Sequence, residues 1–329
     1  MPRGEPLSPT AVRRAIAGTA VAATVLSLAA CGSDSSEAEA SGSGETQTVT
    51  VGTLRGQPHF YAPFLYEENA VDGVEFEVVT LDSTPALTDA VSSGTVDFAI
   101  TGITATISGI SQDRDLTIVA SAADGGSGFI GGDDIDTVAD LAGKKVGYIQ
   151  GSAPEVAMRL ILAENDVDPS SLELVAVPPP EMASAFNSGS IDAFFGTEIA
   201  VSLATAAGGH AITDPYDTPI GKVNIGLVTT GSLVEDDPEL VQKVVDTHAA
   251  TTAYMTDNID EWLPEMVQEF GGDQAVLESA LENFWLRADL NEEYQGQVEA
   301  LAGAMVELGL IDTAPTADDL VDASFAPEA

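Results

Sequence analysis

Basic residues are scarce in this chain, and their scarcity excludes several functions. The 329 residues include 11 Lys and Arg against 53 Asp and Glu, which gives a formal net charge of −42. A nucleic-acid-binding protein needs a basic surface to displace the counterions of phosphates, and this chain has too few cations to build one. We therefore expect no nucleic-acid partner.

Cysteine is almost absent, and the signatures of common enzymes are missing. The single cysteine, Cys31, excludes a disulfide framework and any metal site made of several thiolates. The sequence has no G-x-S-x-G elbow, no P-loop and no H-E-x-x-H motif, and its three histidines are scattered. The acidic cluster Asp133-Asp134-Asp136 lacks the spacing and the glycine of a calcium loop. We expect a protein that is not an enzyme and has no cofactor or metal.

The composition nevertheless predicts a folded protein of one or two domains. Hydrophobic residues make up 44% of the chain, which is enough to bury a large core despite the charge. The acidic excess has two interpretations, a field that serves the ligand or an adaptation to concentrated salt. We favour adaptation to salt, because lysine is almost absent throughout and the Debye length falls to about 3 Å at 1 M salt.

The N-terminal segment predicts export. Arg3, Arg13 and Arg14 precede the apolar run Ala15–Ala30, which is too short and too rich in alanine for a membrane span. Residues 1–31 are therefore predicted to be a signal peptide. Export by the general secretory route and export by the twin-arginine route both stay open.

The segment around the cysteine predicts a membrane anchor. Residues 28–31, Leu-Ala-Ala-Cys, resemble the lipobox of bacterial lipoproteins, and that resemblance implies that Cys31 carries a diacylglyceryl group. Residues 32–47 are rich in Ser, Gly, Ala and Glu, and they predict a flexible tether. The expected location is the outer face of the cell membrane or the periplasm.

An internal repeat appears when the chain is aligned with itself at an offset of 95 residues. Val51-Gly52 then falls on Val146-Gly147. The same register matches Gly56 with Gly151, Pro85 with Pro180, Ala90 with Ala185, Ser93 with Ser188, Gly94 with Gly189, and Asp97 with Asp192. One register kept over about fifty residues indicates two copies of one structural unit.

Each copy has the pattern strand, strand, helix, strand. The predicted strands are 48–51, 74–81 and 96–100 in the first copy and 145–149, 172–177 and 191–195 in the second, and the predicted helices are 85–93 and 180–188. This alternation predicts an α/β fold of two similar lobes with parallel sheets and helices on both faces. Four helices, 238–258, 262–270, 273–283 and 292–309, are predicted to pack back onto one lobe.

Two kinds of binding site are expected where the parallel strands end. Gly151-Ser152 precedes a helix whose free N–H groups suit an anion, although Ser152 could equally be an ordinary helix cap. Glu198 follows a phenylalanine-rich strand and could accept from an aromatic amine, with His59 or Tyr61 stacking on it, although a solvated acid is the competing interpretation.

The order of these motifs resembles the solute-binding proteins of ABC importers, in the group that binds aliphatic sulfonates, taurine, nitrate and thiamine pyrimidine precursors. The resemblance rests on three combinations, which are 78–81 with 90–98, 140–147 with Gly151-Ser152, and 189–193 with Glu198. It also rests on the ending 307–311. It implies a type II periplasmic-binding-protein fold with lobe 1 at 48–132, lobe 2 at 133–226 and a return to lobe 1 over 227–329. Hinge crossings are expected near Gly131–Asp136 and Asn224–Thr230.

The resemblance also implies a ligand site, a function and partners. The expected ligand contacts are Gln57, His59, Thr101, Gly102, Ser121, Gly151, Ser152, Glu198 and Asn224. One departure is that relatives often have Glu-Pro where this chain has Glu198-Ile199. The implied protein is a monomer that closes on a small solute, an anion before an amine, and delivers it to an ABC permease and its ATPase. A two-lobed enzyme and an extracytoplasmic sensor are the alternatives.

Overall fold

The computed structural model of the protein describes residues 46–327. The predicted signal peptide, Cys31 and residues 32–45 of the predicted tether lie outside the described residues. Within the described range, none of the helices combines the length and the apolar character that a bilayer crossing requires.

The described chain forms eleven strands and twelve α-helices. The strands are β1 (Gln47–Thr53), β2 (Val74–Thr80), β3 (Phe98–Gly102), β4 (Thr117–Gly125), β5 (Ser127–Gly131), β6 (Lys145–Tyr148), β7 (Glu173–Ala176), β8 (Ala193–Thr197), β9 (His210–Thr213), β10 (Ile225–Thr229) and β11 (Phe284–Leu286). The helices are α1 (Tyr66–Asn69), α2 (Thr84–Ser92), α3 (Ile103–Ile110), α4 (Ala153–Glu164), α5 (Pro179–Asn187), α6 (Glu198–Ala206), α7 (Gly231–Asp236), α8 (Pro238–Asp257), α9 (Ile259–Phe270), α10 (Gln274–Leu281), α11 (Glu292–Glu307) and α12 (Ala317–Leu320).

The strands form two sheets, one for each lobe. The first has the order β11-β4-β10-β3-β1-β2 and the second β7-β6-β8-β5-β9. The predicted α/β class with two lobes is confirmed. The sheets are mixed rather than wholly parallel, because β10 runs antiparallel to β3 and β4, and β5 runs antiparallel to β8 and β9.

Several elements of the two lobes are equivalent at the predicted offset of 95 residues. Val51 pairs with Phe98 in the first sheet, and Val146 pairs with Ala193 in the second. The aspartate before the third strand is equivalent too, because Asp97 accepts from the N–H of Thr50 and Asp192 accepts from the N–H of Lys145. Helices α2 and α5 and strands β3 and β8 also begin and end 95 residues apart. The repeat is therefore structural.

The first crossing between the lobes lies earlier than the expected hinge at Gly131–Asp136. The chain leaves β4 at Gly125 and enters β5 at Ser127, so residues 127–131 already belong to the second sheet and the expected lobe boundary at 132 is corrected to 125–126. Gly125 and Gly126 have φ of +76° and +73°, a conformation that other residues rarely adopt. Gly131 is instead the last residue of β5, and residues 132–136 follow that strand within the second lobe.

The second crossing is the segment 214–224 between β9 and β10. Asn224 is its last residue, whereas residues 225–229 form a strand of the first sheet. The expected position of this crossing, 224–230, therefore overlaps the observed one only at Asn224.

The C-terminal helices pack on both lobes. As expected, α8 lies against β4 and β11, and α12 lies against β4 and α3. In addition, α10 packs against α6 and α11 packs against α4, both helices of the second lobe. Leu277 and Ala280 give α10 a buried apolar face, which explains why it covers α6 rather than standing in solvent.

Candidate functional site

Glu198 is a buried carboxylate beside the first crossing. It begins α6, and its residue is only 7% exposed. Its Oε2 accepts from Nδ2 of Asn283 at 2.6 Å, and its backbone N–H donates to the carbonyl of Gly126 at 2.9 Å. Burial raises the pKa of Glu198, and hydrogen bonds from Asn283 and Ser202 oppose that rise. The side chain is therefore not a solvated acid.

His59 contacts the residue that follows Asn283, the hydrogen-bond partner of this carboxylate. Its ring centroid is 5.7 Å from that of Phe284, which directly follows Asn283 in the chain. Removal from water lowers the pKa of His59 to about 4, so the ring is neutral at physiological pH. Gln57 is the residue before the short 3-10 helix Pro58–Phe60 and is half-buried. The loop after β1 thus supplies a neutral aromatic surface.

The start of α4 is an ordinary helix cap that also holds a carboxylate of its own. Ser152 Oγ accepts from the N–H of Glu155 at 3.3 Å and donates to the carbonyl of Ile149 at 2.6 Å. The Gly151 N–H donates to Glu155 Oε2 at 2.7 Å, and that buried carboxylate also receives Arg159. Both features reduce the room for an external anion.

Two backbone donors remain at this terminus. Among the described residues, the N–H groups of Ser152 and Ala153 donate no hydrogen bond. Ala153 also lines a cavity of about 10 Å³ with Ser127 and Asn224, a volume that fits about one water molecule. An anion at α4 would therefore have these two N–H groups as its main backbone donors.

Asn224 connects the second crossing to the first lobe. Its Nδ2 donates to the carbonyl of Gly125 at 2.8 Å, and its own carbonyl accepts from the N–H of Ile103 at 2.9 Å. Gly102 precedes Ile103 and caps α3, close to Thr84. Asn224 and Gly102 are therefore brought to the same crossing as the start of α4.

Thr101 and Ser121, two of the expected ligand contacts, direct their hydroxyls to backbone carbonyls of the protein itself. The Thr101 hydroxyl donates to the carbonyl of Thr84 at 3.1 Å, and the Ser121 hydroxyl donates to the carbonyl of Asp289 at 2.6 Å. Both residues are fully buried. Ser121 lies in the middle of β4, between β10 and β11, and so away from the strand ends that face the crossings.

Asn283 and Tyr216 are the residues that sequence reasoning missed. The Tyr216 hydroxyl lies within 3.3 Å of the carbonyl of Asn283 and of its Oδ1, and it accepts from the N–H of Ser127. Asn283 was predicted to end a helix, and it instead precedes the short strand β11. The apolar run Phe-Trp-Leu that follows it was the available signal.

Two lobes, two crossings and a cluster of polar groups where they meet define the class: a two-lobed α/β protein with the periplasmic-binding-protein fold. The NMT1/THI5-like family model matches residues 70–262, more than half of the chain. The protein belongs to the NMT1/THI5-like family.

Similar proteins of known name are binding proteins. The "Putative aliphatic sulfonates-binding protein" of Bacillus subtilis (strain 168) is 22% identical over 264 residues, which are 78% of this chain and 79% of that protein. The periplasmic aliphatic sulphonate-binding protein SsuA of Escherichia coli superposes with a TM-score of 0.73 at 18% identity, covering 84% of this chain and 97% of that one. A ligand-binding component of an ABC-type import system from Staphylococcus aureus, with zinc bound, gives 0.71 at 18% identity over 85% and 97% of the two chains.

Proposed function

We propose that this protein is the extracytoplasmic solute-binding component of an ABC importer. The observation that carries the proposal is the meeting of both lobe crossings at one cluster of polar groups, Glu198, Asn283 and Asn224. Hinged lobes with polar groups at the crossings suit capture by closure, followed by delivery to a permease and its ATPase. The named relatives support the same role, and they favour binding over catalysis.

The proposed ligand is a small oxyanion, with alkyl sulfonates first. The names of the B. subtilis and E. coli relatives support this class. In this chain the unused N–H groups of Ser152 and Ala153 at the start of α4 are the proposed donors. Glu155 lies at the same helix end and is paired with Arg159. A bound anion would therefore share the positive end of the helix dipole with this carboxylate.

An aromatic amine, such as a thiamine pyrimidine precursor, is the second candidate. Glu198 favours it, because a buried carboxylate suits a ligand that donates hydrogen bonds. The neutral ring of His59 offers a stacking surface nearby. A sensor that keeps this fold without a permease is the remaining alternative.

A ligand screen tests the role and the ligand class together. Thermal unfolding of the purified protein in molar NaCl is measured with methanesulfonate, taurine, nitrate, bicarbonate, a pyrimidine precursor, riboflavin and amino acids. A ligand at 100 times its Kd adds about 2.7 kcal/mol, which raises the Tm by several degrees. A hit among the anions supports the first ligand class. The absence of any hit in folded protein would contradict the proposed ligand classes.

Matched variants then locate the ligand. Ser152→Ala and Glu155→Gln alter the start of α4, and Glu198→Gln alters the other candidate. For an anion we expect weaker binding in Ser152→Ala, because the hydroxyl that fixes the start of α4 is lost. Binding should be tighter in Glu155→Gln, because a competing negative charge is lost, and unchanged in Glu198→Gln. Weaker binding in Glu198→Gln with no change in Ser152→Ala would favour the amine.

The lipid anchor at Cys31 is proposed from the lipobox-like sequence of residues 28–31. A Cys31→Ser variant should move from the membrane fraction to the soluble extracytoplasmic fraction, because a single serine cannot carry the diacylglyceryl group. Fractionation of the producing cells measures this, and a variant that stays with the membrane would contradict the anchor.

A further inference from the structure

Asn283 uses its whole side-chain amide at the lobe crossings. Its Nδ2 donates to Glu198 Oε2 at 2.6 Å and to the carbonyl of Ser127 at 3.0 Å, while its Oδ1 faces the hydroxyl of Tyr216 at 3.3 Å. Both contacts of Nδ2 are acceptors only, and the hydroxyl can donate, so the network fixes which end of the amide faces the carboxylate. A flipped amide would turn its oxygen towards a carboxylate.

The backbone of the same residue is tied to both crossings. The carbonyl of Asn283 accepts from the N–H of Gly126 at 2.8 Å and lies 3.2 Å from the Tyr216 hydroxyl. Gly126 belongs to the first crossing and Tyr216 to the second. One residue therefore touches the buried carboxylate of the second lobe and both connections between the lobes.

The next two residues extend this contact into the first lobe. Phe284 stacks edge-on against His59. The ring of Trp285 lies so close to Gly125 that a Cβ there would be 2.5 Å from Trp285 Cζ3. A shift of Asn283 would therefore change the position or the surroundings of the Trp285 ring beside the crossing.

We propose that Asn283 is a positioning residue that couples the charge and orientation of the Glu198 carboxylate to the hinge between the lobes. This inference rests on the proposed function only in treating the crossings as a hinge, and its test needs no solute. When the carboxylate is ionised, the amide is held by a charged acceptor. When it is protonated or engaged by a bound group, that hold weakens, and the amide relaxes together with both crossings.

Other titratable groups face this cluster and must be separated from Glu198. They are Tyr216, Asp214 and Lys222 on the second crossing, Asp124 before the first, Glu282 beside Asn283, and His59 after β1. Burial raises the pKa of Tyr216 to about 12, and the charge of Glu198 contributes to this rise. The measured quantity is therefore the part of each titration that Glu198→Gln abolishes.

The experiment follows two signals from pH 3 to pH 8 in molar NaCl. The carboxyl carbon of Glu198, assigned by difference from Glu198→Gln in protein with labelled glutamate, reports ionisation. The emission of Trp285, taken as the difference from Trp285→Phe, reports the crossing, because Trp285 is 40% exposed whereas the other tryptophan, Trp262, is fully buried. In the wild type we expect both signals to share one midpoint.

The variants separate coupling from simple structural damage. Asn283→Ala should raise the midpoint of Glu198 on the order of one pH unit, because an ionised acceptor loses its donor, and the Glu198-dependent emission change should disappear. Tyr216→Phe keeps the hydrogen bond between Asn283 and Glu198 but removes a contact between the amide and the second crossing, so it should move the midpoint less than Asn283→Ala does and should reduce the emission change.

Ser202→Ala keeps the proposal testable if Asn283→Ala does not fold. Ser202 donates to Glu198 Oε1 at 3.4 Å on the side away from Asn283. Its loss should raise the midpoint of Glu198, and the Trp285 signal should follow. If Glu198→Gln abolishes no part of the emission change, or if the Glu198-dependent part does not follow the shifted midpoint in Ser202→Ala, the coupling is overturned.

Discussion

Individual side chains at the crossings are held by the protein's own hydrogen bonds before any solute arrives. Glu155 occupies the start of α4, and Asn283 holds Glu198. Side chains that are already ordered lower the entropy cost of binding a solute, because their conformations were fixed when the protein folded. They also narrow the choice of ligand, since a solute must match donors and acceptors that point in fixed directions.

His248 gives a residue-scale prediction about acid. It is fully buried, its Nδ1 accepts from the Tyr66 hydroxyl at 2.8 Å, and its Nε2 donates to the carbonyl of Ser121 at 2.8 Å. Burial lowers the pKa of His248 from 6.5 to about 4. Below pH 6.5, His248 therefore binds a proton in the unfolded chain but stays neutral in the folded protein. The free energy of unfolding falls as the pH drops from 6.5 towards 4.

Chemical unfolding at pH 7 and pH 5 checks this. The wild type should lose about 2 kcal/mol more than His248→Gln over that interval, since only the wild type gains a proton at this site on unfolding. His210→Gln is the control, because His210 lies at the surface near Asp136. Equal losses in the wild type and in His248→Gln would contradict the assignment of the acid sensitivity to His248.

At the scale of elements, the first crossing depends on the close approach of a strand to a glycine. Gly125 has φ of +76°, and an added Cβ would lie 2.5 Å from the ring of Trp285 in β11. Gly151 has a similar φ of +73° but has no heavy atom within 4 Å of that position. A comparison of substitutions at Gly125 and Gly151 therefore distinguishes the cost of backbone strain from the cost of steric overlap.

We predict that Gly125→Ala is more destabilising than Gly151→Ala by about 1–3 kcal/mol, the usual cost of overpacking. Gly151→Ala should show only the cost of a left-handed alanine, about 1–2 kcal/mol. Urea unfolding of the single variants, and of Gly125→Ala combined with Trp285→Ala, measures the difference. If removal of the indole restores nothing, the Trp285 contact is not what keeps Gly125 a glycine.

The repeated elements were predictable from sequence, and the connections between lobes were not. Strand and helix patterns at an offset of 95 residues depend on local signals, such as Gly94 and Gly189 at the ends of α2 and α5, and these agree with the structure. The crossing at Gly125–Gly126 joins two fully buried strands, and its sequence, Asp124-Gly-Gly-Ser127, marks a turn without showing that the chain changes sheets there. Asn283 was missed for a similar reason, since its role comes from partners distant in sequence.

The expected site was predictable only where the repeat points to strand ends. Glu198 and Ser152 lie where parallel strands meet helices, and both are at the crossings. Ser121 was expected only because of a resemblance, and its hydroxyl donates to the carbonyl of Asp289. A residue in the middle of a strand gives no sequence signal of which neighbour covers it.

At the scale of the whole molecule, negative charges greatly outnumber positive charges. The net charge is −42, and within residues 46–327 only four carboxylates, those of Asp89, Asp124, Glu155 and Asp289, pair with an arginine. Most acids therefore repel one another across the surface. That repulsion is least in the expanded unfolded chain, so it opposes folding when salt is low.

We predict that the Tm rises steeply from 10 mM to 2 M NaCl. The Debye length falls from about 30 Å to less than 3 Å over this range, and the repulsion between carboxylates falls with it. Sucrose at matched osmolality is the control, because it is excluded from the protein surface without screening charge. Scanning calorimetry should show a larger rise in NaCl than in sucrose. A flat or falling profile in NaCl would mean that the acids are solvated independently, and the adaptation to concentrated salt would then have to be given up.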